Sequence, residues 1–465
     1  MHNCLTVPFD NLLANGFNTR QTDVRPANSI NTAMQLVAVL FQLQSLQQFG
    51  GVSASHIDWT MVPYVRKSFL KHYIVAWLKD RNEFLALDLM GMLFNTYSEE
   101  IEDNLAIDRN GLEDWVDEHK KMFFEETGLK EEDFFFDSPK LDKKYAQSAM
   151  YDTIAETKQA VEGMYHNLNT LQSRSGNQLP FTSINYGTCT LPEGRLVIKA
   201  LLEGSLHGVG KLHKTPIFPC GIFQCMKGVN RKPSDPNYDL FRLALKSTAK
   251  RLYPNYANVD WSGNAGYDRN DPKTYFSTMG CRTANGWDIN GFGQLKDGRG
   301  NICPVTIILP TIAMEAVTIS SEQKKNKNNF NYCEVNKELA INNFMKLLDE
   351  AIHDAKDALI ERFEWICSQD PSSAKFMWEN HTMAGYIPEE GIRSALKHGT
   401  LALGQLGLAE ALQILVGCDH TEPEGMELAK KIEELFKTRC AEFKQEYKLN
   451  FGVYYTPKIF RLGVV

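Results

Sequence analysis

YFSTMGCRTANGWDINGFGQLKDGRGNICPVTIILP, residues 275–310, is the stretch whose reading decides the fold. It holds a cysteine between a glycine and an arginine: Gly280, Cys281, Arg282. A polar, glycine-rich excursion follows, then Asp297-Gly298-Arg299-Gly300-Asn301, then the β-branched run Val305 to Leu309, which reads as an interior strand. A cysteine on a short loop, with a second polar loop returning past it, suits a reactive group pushed into the middle of a fold. A buried structural thiol in a turn-rich loop suits it as well, and from composition alone that is the commoner case.

The rest of the chain supplies the setting. Its 465 residues are enough for a large core and one to three domains. The apolar fraction of 43% and charged fraction of 23% are those of an ordinary globular protein. A net charge of -7 argues against a nucleic-acid surface and an anionic membrane, while leaving room for a local phosphate pocket. The ten cysteines are scattered, with no Cys-x-x-Cys pair, so neither a disulfide scaffold nor a four-cysteine zinc site has support. MHNCLTVPFDNLL at the start has no basic region or long apolar run of a signal peptide. No window is apolar enough to span a membrane. The expectation is a cytoplasmic, reducing setting.

Outward from the central stretch, strands alternate with long helices, which points to an α/β arrangement of the barrel kind. Met1 to Phe9 reads as a strand, with a turn at Asn15-Gly16. Ser29 to Gln48 reads as a helix with almost no charge, apolar on most of its circumference, fit for a domain interior or a subunit interface. Val62 to Leu78 reads as a second helix; its Arg66, Lys67, Lys71 and His72 form a basic stripe that suits either a phosphate or a solvated face. Residues 98–145 are charge-rich and read as a peripheral helical insertion. Ser173-Arg174-Ser175-Gly176 is a polar turn leading into a strand, Thr182 to Tyr186. Further helices are expected at 150–170, 196–207, 239–251, 338–367, 409–416 and 422–448, and further strands at 217–223 and 449–457. Gly399-Thr400-Leu401-Ala402-Leu403-Gly404-Gln405-Leu406-Gly407 has glycines that allow close approach to phosphate, although no Walker lysine follows.

An ordered set of these stretches resembles one family, the catalytic subunit of the oxygen-sensitive (class III) ribonucleoside-triphosphate reductases, which are glycyl-radical enzymes. It comprises NCLTV and NGF at 3–17, FGGVS at 49–53, PYVRKSFLKHY at 63–73 and SRSGNQLPFTSINYGT at 173–188. It continues with HKTPIFP at 213–219, DPNYDLF at 235–241, RLYPNY at 251–256, STMGCR at 277–282 and DGRGN at 297–301. HGTLALGQLGLAEAL at 398–412 and NFGVYYTP at 450–457 complete it. STMGCR and DGRGN are the most specific members.

The resemblance implies a ten-stranded α/β barrel built of two five-stranded halves, with a central finger loop within 275–301, and residues 1–457 are expected to form an incomplete part of it. It makes Cys281 the thiyl residue that takes the 3′ hydrogen of the ribose. It makes Cys4 the second active-site cysteine, active in reduction with formate, and Asn301 the residue that orients the sugar hydroxyls. An S–H bond suits this work because it is weak enough to yield a radical and strong enough to take hydrogen from carbon, in a closed pocket that limits side reactions. Triphosphate contacts are expected from Ser173, Arg174, Ser175 and Gly176, and from Gly399, Thr400 and Gly404. The resemblance further implies nucleoside triphosphate substrates, ATP or deoxynucleotide effectors, a homodimer formed through helices within 29–78, and a radical-SAM activase as partner.

Departures from the family pattern set further expectations. The family's Arg-x-Cys-Gly-Tyr glycyl-radical motif and its four-cysteine zinc site, which follow YYTP, have no match in this sequence, and residues 458–465 match nothing. The family also normally begins before NCLTV. This chain alone is therefore expected not to turn over. Ile308 and Thr311 stand where the family often has asparagine and arginine. A formate-lyase-like glycyl-radical enzyme is the nearest rival, but that class places two cysteines side by side at the loop tip, and here Arg282 follows Cys281. The other rival is an inactive fragment, or a barrel kept for nucleotide binding or assembly.

Overall fold

The computed structural model describes residues 2–19, 21–80, 120–173, 176–280, 283–325 and 331–455. Strands in chain order are β1 (Cys4–Thr6), β2 (Phe17–Asn18), β3 (Asp23–Val24), β4 (Val52–Ala54), β5 (Thr182–Tyr186), β6 (Cys220–Cys225) and β7 (Asn255–Asn258). Then come β8 (Thr278–Met279), β9 (Thr283–Ala284), β10 (Gly300–Ile308), β11 (Ser321–Lys325), β12 (Asn331–Val335), β13 (Thr400–Leu406) and β14 (Asn450–Tyr455).

Eight of these form one sheet, in the order β14-β13-β10-β1-β4-β5-β6-β7. β1, β4, β5, β6 and β7 run parallel to one another, as do β10, β13 and β14. The two sets meet antiparallel at a single seam, where Cys4 pairs with Asn301 and Leu5 with Gly300. Of the ten-stranded barrel expected in incomplete form, the described residues give an open eight-stranded sheet, five strands in one half and three in the other, and not a closed barrel. In the first half, β1, β4, β5 and β6 are each followed by helices that return the chain to the same end, while β7 leads into the long loop before β10.

The central strands β1, β4, β5, β6 and β13 are buried on both faces. β5, TSINY, is buried throughout: Ile184 and Tyr186 join the core under the helices, while Ser183 and Asn185 face the other way. Helices Lys143–Thr170, Pro192–His207 and Tyr238–Arg251 serve the first half; Leu309–Ile319, Lys337–Cys367, Leu408–Val416 and Pro423–Tyr447 serve the second.

Most elements fall within a few residues of their sequence expectation, and the exceptions have simple causes. The opening strand is only three residues long, because Pro8 has no N–H for the ladder and a helix, Phe9–Asn15, begins at once. Helix Leu309–Ile319 follows β10 directly, with Pro310 in its first turn, where the sequence suggested only the strand. The apolar helix Ile30–Ser45 is capped by Ser29, whose hydroxyl accepts from the Thr32 amide at 3.1 Å. It is buried within this chain, against helices Lys143–Thr170 and Val62–Asp80.

The basic stripe on helix Val62–Asp80 is neither a phosphate site nor a plain solvated face. Arg66 pairs with Glu193 at 3.3 Å and His72 with Glu156 at 2.8 Å, while Lys67 donates to the Ala27 carbonyl at 3.0 Å. Of the charge-rich 98–145 stretch, residues 98–119 lie outside the described ones. The remainder packs Phe123 and Phe134 against Phe69, Tyr73 and Trp77 in a second small core. The unmatched tail 458–465 also lies outside the described residues.

Candidate active site

The site is built on the seam. Cys4 and Asn301 face each other across it, and Thr400 is the next residue in register, opposite Asn301 on β13. Cys4 is buried, and its Sγ accepts from the Gly51 amide at 3.2 Å. Gly50 and Gly51 must be glycines here. A Cβ on Gly50 would stand 2.6 Å from the Cys4 sulfur, and one on Gly51 would stand 2.8 Å from the Phe181 ring. Asn301 is buried too, with its Oδ1 within 3.5 Å of the Asn3 side-chain amide.

The loop expected to carry Cys281 enters the concave face of the first half-sheet as a hairpin, β8 against β9, with Met279 opposite Thr283. Cys281 and Arg282 lie outside the described residues, so the described site ends at the two flanking positions, Gly280 and Thr283. Gly280 has φ +67°, and a Cβ there would meet the Phe181 ring at 2.8 Å, so both backbone and space require glycine.

Polar side chains on three consecutive strands hold the hairpin by its backbone. Asn185 accepts from the Thr278 amide at 3.1 Å and donates to its carbonyl at 3.0 Å, as a strand neighbour would. Ser53 donates to the same carbonyl at 2.9 Å, and the Gly280 amide donates to Ser183 at 2.9 Å. Gln224 donates to the Phe276 carbonyl at 2.9 Å. Each bond satisfies a loop group that would otherwise be buried without a partner. The sequence reading passed over these four residues. Their signal was present: polar positions at spacing two inside a strand that otherwise reads as core, as in Ser183 and Asn185.

The other expected contacts are scattered. Thr400 lies beside Asn301, its hydroxyl donating to Asn285 Oδ1 at 3.3 Å. Gly399 is packed tightly, with Ile302 where a Cβ would be. Gly404 is covered by the Tyr454 ring, 2.4 Å from its ideal Cβ, so it accommodates an aromatic side chain. Of the polar turn, Arg174 and Ser175 lie outside the described residues; Gly176 has φ +78° and open space around it. The Ser173 hydroxyl is buried with no hydrogen-bond partner among the described residues. Because the half-sheets run antiparallel, this turn before β5 and the end of β13 lie at the same end of the sheet.

A second polar cluster sits at the neck of the loop. Asp297 accepts from the Ser55 hydroxyl, and Ser55 Oγ lies 2.6 Å from His56 Nδ1. His56 Nε2 lies 3.2 Å from Asp10 Oδ2, and Thr60 donates to Asp10 at 2.6 Å. Burial works against charge on His56, but Asp297 and Asp10 outweigh it and push its pKa up to about 9. Burial raises Asp297 to about 6, against the pull of His56. Ligand atoms of Asp10, His56 and Asp297 lie within 4.8 Å of one another, the one such group among the described residues. Beyond it, Arg299 is fully buried and spends its guanidinium on the carbonyls of His398, Gly286 and Leu295, at 2.8, 2.9 and 2.7 Å. Lys296 is buried beside it, donating to the Asn285 carbonyl and to Gln294; burial and then Arg299 lower its pKa to about 7.

None of the eight cysteines whose side chains are described forms a disulfide, and no helix of the described residues is long and apolar enough to cross a membrane.

Comparison with known proteins agrees with this architecture. The chain is 26% identical over 463 residues to the anaerobic ribonucleoside-triphosphate reductase of Escherichia coli K12, covering 98% of this chain and 52% of that protein. It is 26% identical over 461 residues to the enzyme of the same name from Enterobacteria phage T4, covering 98% of this chain and 61% of that one. The chain thus spans between half and two thirds of the length of these relatives. Among solved structures, an anaerobic ribonucleotide reductase superposes with a TM-score of 0.56 at 15% identity, over 97% of this chain and 55% of that one. The Thermotoga maritima enzyme in complex with dATP and CTP gives 0.54 at 14%, over 97% and 59%. These two likenesses speak for the fold. The family model for anaerobic ribonucleoside-triphosphate reductase matches residues 1–458, and the chain belongs to that family.

Proposed function

We propose that this chain supplies the thiyl-bearing part of an enzyme that reduces ribonucleoside triphosphates to 2′-deoxyribonucleoside triphosphates, with formate as reductant. The observation that carries the reading is the Cys4–Asn301 pair at the seam, with the stem of the Cys281 loop clamped on the same sheet. In the proposed reaction the Cys281 thiyl takes the 3′ hydrogen of the ribose. The 2′-hydroxyl then leaves as water, taking up a proton. Formate gives up two electrons and a proton and becomes carbon dioxide; with Cys4 taking part, those electrons and a proton make the new C2′–H bond, and the hydrogen held by Cys281 returns to C3′. Asn301 holds the sugar hydroxyls so that the reacting atoms stay aligned. The glycyl radical supplies the oxidising equivalent that makes the thiyl, from a segment other than the residues described above.

The polar turn at 173–176 and the start of helix Leu408–Val416 are proposed to face the triphosphate from the same end of the sheet. Thr400 is proposed to stand on the sugar side of that site, and Gly399 and Gly404 to shape the strand beneath it. Helices Ile30–Ser45 and Val62–Asp80 are proposed to border a homodimer interface and the effector site for ATP or deoxynucleotides. The exposed apolar residues Leu46 and Phe49 at the end of the first support this. An activase of the radical-SAM class is the proposed partner for radical installation, in the cytoplasm.

Anoxic reconstitution with an activated glycyl-radical polypeptide, labelled formate and CTP tests the reading by chromatography of the nucleotides. The expected result is dCTP and labelled carbon dioxide from the unmodified chain and neither from Cys281→Ser. Equal dCTP formation by Cys281→Ser overturns the reading. So does failure of the unmodified chain to bind any ribonucleoside triphosphate in equilibrium dialysis.

A further inference from the structure

The polar cluster at the neck of the loop is a closed chain of hydrogen bonds, and counting its protons fixes its charge. Ser55 has one hydroxyl proton, and it goes to Asp297. Ser55 Oγ must then accept from His56 Nδ1, 2.6 Å away. Asp10 is an acceptor toward His56 Nε2 at 3.2 Å. Both ring nitrogens therefore donate, and a histidine with two donors is an imidazolium. Thr60 donates to the other Asp10 oxygen at 2.6 Å, and the Lys273 ammonium stands 3.5 Å from Asp10.

The groups of the cluster come from four separate parts of the chain, which gives it its mechanical meaning. Asp10 belongs to the helix after β1, and Ser55 and His56 follow β4. Lys273 lies on the leg entering the loop and Asp297 on the leg leaving it. The legs are themselves joined, Lys296 N–H donating to the Lys273 carbonyl at 2.9 Å. Gln224 bonds the Ser55 carbonyl at 3.2 Å and the Phe276 carbonyl at 2.9 Å, carrying the connection up to the hairpin. The groups that face His56 are Asp10, Asp58 and Asp297, all carboxyls; Lys273 acts on Asp10. Asp58 is already committed to the amides of Gly187, Thr188 and Cys189. Remove the charge from His56, and Asp10 and Asp297 are left as neighbouring carboxylates at the two sides of the neck.

We propose that His56 is a positioning residue: as an imidazolium shared between Asp10 and, through Ser55, Asp297, it clasps both legs of the loop to the first half-sheet. The clasp rests on geometry alone; its value for turnover rests on the function proposed above. It holds while His56 is protonated and loosens when the ring loses its proton, since the imidazole then has one donor for two acceptors.

Hydrogen exchange of the amides of Thr278 and Gly280 in the full chain, corrected for intrinsic rates, tests this without any assay of activity. Protection is expected to hold from about pH 6 to pH 8 and to fall as pH passes about 9, by a factor on the order of 100 at full deprotonation. His56→Gln is expected to lose protection at all pH values and the pH dependence with it. His56→Lys is expected to regain part of the protection and to move its loss to higher pH. Protection of the unmodified chain that stays constant through pH 10 overturns the clasp, and this arm needs no variant to fold. Protection in the chelator-treated chain that appears only on adding Zn²⁺ or Mn²⁺ also overturns it, and makes Asp10, His56 and Asp297 a cation site instead. A failed reconstitution with an intact exchange profile leaves the clasp standing and strikes only the proposed function.

Discussion

Cys4 and Asn301 are cross-strand partners at the one seam, among the described residues, where the two sets of parallel strands meet antiparallel. Residues paired across an antiparallel ladder have their Cα atoms about 4.5–5.5 Å apart and point to the same face. A thiol and a carboxamide are thereby held side by side by backbone pairing, with no flexible loop between them. We expect Asn301→Ala in the reconstituted enzyme to lower kcat by about 100-fold while leaving nucleotide affinity within about threefold, because the lost role is alignment. A change confined to KM would contradict that role.

The wall beside Cys4 is equally specific. A methyl on Gly50 would lie 2.5 Å from the Asn3 carbonyl and 2.6 Å from the Cys4 sulfur. Backbone cannot yield as a flexible side chain can, so Gly50→Ala is expected to cost about 2–3 kcal/mol. Gly210→Ala is the control: nothing stands within 4 Å of its Cβ, and its φ of +70° confines the cost to strain of about 1 kcal/mol. Urea denaturation of both variants checks the difference, and equal losses would mean that packing at Gly50 is looser than its geometry.

Asn185 replaces a strand for the hairpin. It makes one bond to the Thr278 amide and one to its carbonyl, and donates also to the Ala54 carbonyl at 2.8 Å. Asn185→Leu keeps the size, leaves the buried Thr278 amide without its partner and removes one bond each from the Thr278 and Ala54 carbonyls, which Ser53 still reaches, so a loss of about 2 kcal/mol is expected. The readout is local: exchange at Thr278 should accelerate far more than exchange in helix Pro423–Tyr447. Uniform acceleration across the chain would mean that Asn185 serves the whole fold.

Much of this was legible in the sequence, for physical reasons that differ by element. Long helices such as Lys337–Cys367 announce themselves through periodicity, and β5 was bounded correctly by the turn before it and Gly187 after it. Cys4 and Asn301 were singled out by family resemblance; their pairing was not, because register is a property of two strands and 297 residues separate them. The polar inward positions left a trace in β5, where Ser183 and Asn185 stand at spacing two, but a strand buried on both faces gives no solvent side to mark them as facing a loop. His56 was invisible for a simpler reason: its partners lie far from it in the sequence, Asp10 just after β1 and Asp297 just before β10, and only the pairing of those strands brings them to one end of the seam. The strand count was the least legible feature, since a resemblance supplies a complete barrel and the described residues give eight strands.

Two buried cations at the neck of the loop should pull the stability of this protein in opposite directions as pH rises. His56 is raised from 6.5 to about 9, so the stability it contributes is complete below about pH 6.5 and is lost as pH rises through 9. Lys296 is lowered from 10.5 to about 7: burial, and then Arg299, disfavour its charge. Its charge therefore costs stability below about pH 7, and that cost disappears as pH rises toward 10.5. In the unmodified chain the two trends offset each other, and stability between pH 7 and 9 should be nearly flat. Lys296→Met removes one of them. The methionine fills the same space without a charge, at the loss of bonds to the Asn285 carbonyl and Gln294. We expect the variant to be more stable than the unmodified chain at pH 6, by about 1–2 kcal/mol after those lost bonds are counted. It should then lose stability steadily above pH 7, as His56 gives up its proton with nothing to compensate. Urea midpoints at pH 6, 8 and 10 for both chains decide the matter. Parallel curves would mean that Lys296 holds its proton as tightly in the folded as in the unfolded chain, and that it stands in the core as a charged ammonium satisfied by its two hydrogen bonds.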